Sequence, residues 1–124
     1  MNDLTDATIF SKFYPIIFNN AVRKANLEPM LKNLLLSIGV PLSHNGVIVG
    51  HLKLVAEISK EEFLFLSLTR LDRVDVTAST SWTGQGDDII GMDLKINVLV
   101  FGFNKNYIAE VVAAALQTFN QKQG

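Results

Sequence analysis

The sequence predicts an α+β fold, with two N-terminal helices, a four-stranded and mainly antiparallel sheet, and a C-terminal amphipathic helix packed on that sheet. Three observations predict it. Apolar residues recur at helical spacing towards both ends of the chain, they alternate with period two in the middle, and the strand-like segments follow one another instead of alternating with helices. At 124 residues the chain fits one domain, 1–124, large enough to fold around its own core without metal or disulfide.

At the start, Ile9, Phe10, Phe13, Ile17, Ala21 and Val22 repeat every three or four residues. This spacing reads as one face of a helix from Asp6 to about Lys24, capped by Thr5 or Asp6. Pro15 falls inside the pattern and implies a kink or break near Phe13 to Pro15. Leu27-Glu28-Pro29 opens a second helix with proline in its first turn, and Ser37-Ile38-Gly39-Val40-Pro41 ends it with a glycine cap and a proline stop. Ser43-His44-Asn45-Gly46 is then a turn.

From Val47 the period changes to two. Ile48, Leu52, Leu54, Ala56 and Ile58 share one face of a strand, while His51, Lys53 and Glu57 share the other. A polar connector at Ser59 to Glu62 leads to Phe63–Thr69, a run apolar on both faces, as a central strand is. Val74, Val76 and Ala78 alternate with Asp75, Thr77 and Ser79 in a third strand. A loop rich in Ser, Thr, Gly and Asp separates it from the fourth, Met92 to Phe103. Asn104 or Asn106 then caps a helix on which Ile108, Val111, Val112, Ala115, Leu116 and Phe119 form one apolar stripe.

Composition narrows the function classes. Eleven basic against twelve acidic side chains leave a net charge of −1, without the basic excess that a phosphate backbone requires, so nucleic acid is not an expected partner. No apolar run approaches the ~20 residues of a membrane span, and the first twenty residues lack the pattern of a signal peptide. The chain has no cysteine, which rules out thiolate catalysis and disulfides and suits a cytoplasmic location.

The chemistry-bearing residues form no recognisable constellation. His44 and His51 are the two histidines, at a spacing that matches no metal-ligand pattern, and Asp87 and Asp88 lack the alternating ligands of a calcium loop. No metal or cofactor is expected. Ser67, Ser79 and Ser81 lack a glycine-flanked elbow, so the residues favour a non-catalytic role.

The apolar residues say more. If Ile48, Leu52, Leu64, Leu66, Val74, Val76, Leu94, Ile96 and Val98 form the core face, then Phe63, Phe65, Leu99, Phe101 and Phe103 point to the opposite one and need cover. Either the N-terminal helix supplies it through Phe10, Phe13 and Phe18, giving three layers, or a second subunit does. Trp82, alone in its polar loop, is either a binding anchor or a plug against the end of the sheet.

The expected function is therefore a protein- or peptide-binding or adaptor module acting as a homodimer, with Phe63, Phe65, Trp82, Leu99, Phe101 and Phe103 as its interface. Two alternatives belong to other classes. One is a small-molecule site between sheet and N-terminal helices, lined by Phe13, Tyr14, Phe65 and Phe101; the other is a hydrolase-like site using His51 with Asp75 or Asp93.

Overall fold

A computed structural model describes residues 6–83 and 85–123. Strand β1 (Ala7–Val22) is followed by helix α1 (Lys24–Gly39), a 3-10 turn (Val40–Leu42), strands β2 (Val47–Glu57), β3 (Phe63–Arg70), β4 (Arg73–Ala78) and β5 (Ile89–Phe101), and helix α2 (Lys105–Gln123). The strands form one antiparallel sheet in the order β1-β5-β2-β3-β4. The fold is α+β.

The N-terminal segment departs from its expected form. Residues 7–22 are a sixteen-residue strand and not a helix, so one helix precedes the β2–β5 segment and the sheet has five strands and not four. Two kinds of apolar residue had merged into a single helical period. Phe10, Ile16 and Phe18 point to the core, whereas Ile9, Phe13 and Ile17, four residues apart, point away from it. The composition of the segment, dense in Thr, Ile, Phe and Tyr, belongs to a strand. Pro15 decides between the two forms, because a helix interior loses a hydrogen bond and clashes at proline while an edge strand can turn the missing N–H outward.

Helix α1 begins at Lys24, earlier than Leu27, and carries Pro29 inside it. Gly39 is not a left-handed cap, since its φ is −68°. Its role is spatial: a Cβ there would stand 2.5 Å from Leu68 Cδ2 and 3.5 Å from Leu52 Cδ1, so the missing side chain lets the end of α1 settle onto the sheet. The turn at Asn45-Gly46 has φ of 53° and 80°, as its sequence implies. At α2, Asn104 provides the cap by accepting the Tyr107 N–H at 2.8 Å.

Both helices lie on the same face of the sheet. The residues of α1 buried against it, Leu27, Leu31, Leu34, Leu35 and Ile38, join α2's Ile108, Val112 and Phe119 and the inward residues of the strands in one continuous cluster. Leu52, Leu54, Leu64, Leu66, Leu68, Leu94 and Ile96 are inaccessible to solvent. Each such side chain contributes roughly 1.5–3 kcal/mol of burial. The molecule thus has two layers, and the three-layer arrangement does not form. No helix among the described residues is long and apolar enough to cross a membrane.

Candidate functional site

With both helices on one side, nothing among the described residues covers the other face of the sheet. Its side chains stand in rows set by the strand registers. One row runs Ser11, Asn97, Lys53, Ser67, Asp75; the next runs Phe13, Lys95, Val55, Phe65, Thr77. The middle of the face is polar: Ser11 Oγ donates to Asn97 Oδ1, and Lys95 reaches Glu57 at 4.0 Å. Exposed apolar side chains stand along β1, where Ile9 is 61% accessible, Phe13 50% and Ile17 87%, and at the start of β2, at Val47 and Val49.

β1 is also an edge strand, and its free side can be read from the hydrogen bonds. Bonding direction alternates along an antiparallel strand. The Ser79 N–H donates to the Phe63 carbonyl, so odd-numbered residues of β3 turn their backbone groups toward β4 and even-numbered ones toward β2. Carried through the registers of β2 and β5, the same parity leaves Ile9, Ser11, Phe13 and Pro15 with their backbone groups directed away from β5. Pro15 occupies a position where no N–H of its own sheet is lost. The opposite edge differs: β4 has six residues and displays Arg73 and Asp75, an ion pair at 3.0 Å. Short, charged edges resist strand addition, and long apolar ones invite it.

Of the residues singled out in the sequence, Phe63, Phe65, Leu99 and Phe101 do share the uncovered face, each partly shielded by its neighbours. Phe103 does not join them. Gly102, with φ of 88°, turns the chain after β5, and Phe103 stacks between His44 and Tyr107 at centroid distances of 5.2 and 5.6 Å.

Trp82 also lies elsewhere. It is half-buried and packs against the core, with Lys24 Nζ 5.8 Å from its ring centroid and Glu62 paired to the same ammonium. The loop that carries it is tied down by Ser81 Oγ donating to the Glu61 carbonyl, by the Trp82 N–H donating to the Ser79 carbonyl, and by the Phe63 N–H donating to Ser79 Oγ.

The other constellations stay apart. Phe13 and Phe65 share the open face, but Tyr14 points to the helix side, where burial raises its phenol above the usual value, so the four aromatics line no common cavity. The gap between α1 and α2, bordered by Met30, Leu34, Ala115 and Phe119, holds about 60 Å³, well below the ~300 Å³ where ligand pockets begin. His51, Asp75 and Asp93 occupy three different rows of the open face; His51 Nδ1 is buried and finds no hydrogen-bond partner among the described residues. Those residues contain no group of three metal-ligating side chains.

Sequence reasoning missed Ile9 and Ile17 as exposed positions because it placed them on a helix. The signal that could have found them is Pro15 flanked by β-branched and aromatic residues. No family model, no curated protein and no solved structure matches this chain.

Proposed function

We propose that this chain is a non-catalytic protein-binding module that assembles with copies of itself through the β1 margin of its uncovered sheet face. One observation carries the reading: three exposed apolar side chains, Ile9, Phe13 and Ile17, lie in one line on an edge strand that pairs on its outer side with none of the described residues. Lone exposed apolar residues are ordinary, whereas a contiguous line of them on an edge marks a contact surface.

Charge supports the choice of a second copy. Among the strand residues whose side chains face this way, Lys53, Lys95 and Arg73 balance Glu57, Asp75 and Asp93, so the face carries no net charge that would repel an approaching second copy.

Light scattering at micromolar concentration is the test. The expected mass is twice the 13.7 kDa of the chain, and Phe13→Asp should return it to the single-chain value with unchanged melting, because Phe13 lies outside the core. A single-chain mass up to ~100 μM, an affinity too weak for a stable assembly, would overturn the reading.

A further inference from the structure

We infer that two copies join by adding β1 to β1 in antiparallel register about a two-fold axis at Ser11, making one ten-stranded sheet with all four helices on the same side. This rests on the self-association proposed above and specifies its geometry. The free edge restricts the choice, because odd-numbered residues carry the outward N–H and C=O groups, so paired odd residues exchange two hydrogen bonds each.

The candidate registers can be compared one by one. An axis at Lys12 sets Lys12 opposite its own copy, a like-charge pair that destabilises a sheet. An axis at Phe13 sets Pro15 opposite Ser11 on both sides, and each pair lacks a donor. An axis at Phe10 matches Ile9 with Ser11 and Phe13 with Ala7, leaving the two large apolar residues without each other.

At Ser11 the Lys12 pair and the mismatch of Ile9 and Phe13 disappear, and the donor missing at Pro15 moves from inside the ladder to its last pair. Ile9 of each copy stands beside Phe13 of the other, twice by symmetry, in hydrogen-bonded pairs on either side of Ser11 opposite Ser11. Lys12 meets Phe10 on the helix side. Pro15 falls opposite Ala7, at the end of the ladder. The paired segment also stops short of the irregularity between Ile17 and Val22 that bends the remainder of β1. An aromatic and a β-branched side chain directly opposite form one of the stabilising cross-strand pairs, and here the pair recurs on both sides of the axis.

Because the chain has no cysteine, single-cysteine variants report the register without background. Ser11→Cys should form an intermolecular disulfide under mild oxidation, since residues opposite each other in a hydrogen-bonded pair are ~5.5 Å apart at Cα, within the span a disulfide bridges. A mixture of Ile9→Cys and Phe13→Cys should cross-link as the mixed dimer, at least ~10-fold faster than Ile17→Cys with itself. Mass measured on the unmodified protein separates the possible failures. A single-chain mass overturns the self-association and the register together. A two-chain mass, with neither Ser11→Cys nor the mixed pair cross-linking, overturns the strand pairing and leaves the self-association standing. Melting curves of the variants confirm that each remains folded, as expected at exposed edge positions.

Discussion

Gly50 of β2 lies so close to Leu99 of β5 that a Cβ at Gly50 would stand 1.9 Å from the Leu99 carbonyl oxygen. Its φ of 130° adds a second constraint, because that region is disfavoured for any residue with a side chain. The backbone clash cannot be relieved by a rotamer change. Gly50→Ala is therefore expected to lower stability by more than ~2 kcal/mol, with a visible fall in melting temperature. An unchanged melting curve would show that β2 and β5 can separate at this point without cost.

Trp82 contributes to folding through its contact with the core and with Lys24. Trp82→Ala should lower the melting temperature by several degrees, toward the ~3 kcal/mol typical of a lost aromatic. Its emission, from the sole tryptophan of the chain, should be blue-shifted and protected from quenchers in the folded protein. Red-shifted, freely quenched emission would place the ring in water instead.

On α2, Val112 is fully buried. Val112→Asp introduces a carboxylate with no partner into the core, a cost of several kcal/mol against a total stability of about 5–15. Circular dichroism should report a chain that does not fold cooperatively. A soluble variant with wild-type melting would contradict the packing of that helix face.

Phe13 and Ile17 are both exposed, yet only Phe13 falls inside the paired segment. Phe13→Ser should weaken self-association by ~10-fold or more, whereas Ile17→Ser should leave it nearly unchanged. Sedimentation equilibrium on the two variants reads the difference directly. Equal weakening by both would move the contact toward the end of β1 that carries Ile17.

The sequence made β2, β4, the first part of β5 and α2 readable because each had one dominant face, as with even-numbered Leu52, Leu54 and Ala56 inside and odd-numbered His51, Lys53 and Glu57 outside, while β3 was readable as a short apolar run bounded by polar connectors. β1 was not readable in the same way, since its outward residues are as apolar as its inward ones and two alternating sets imitate a helical period. The same ambiguity reached the surface: Phe63, Phe65, Leu99 and Phe101 were legible from parity alone, but the exposed line on β1 depended on the element that was misassigned. Trp82 was legible as a plug or an anchor and not as either one, because its contact with Lys24 joins positions 58 residues apart.

The register of β1 with β5 pairs Phe10 with Val98, 88 positions later in the chain. A strand made early in synthesis therefore waits for one made late, and at ~5–20 residues per second that interval is roughly 4–18 s. Through that time Phe10, Phe18 and the outward Ile9 and Phe13 have no sheet to join, while β2 to β4 can already form hairpins with near neighbours. Such distant pairing slows folding and makes the nascent N-terminal segment the part of this chain with the greatest need of a chaperone's shelter.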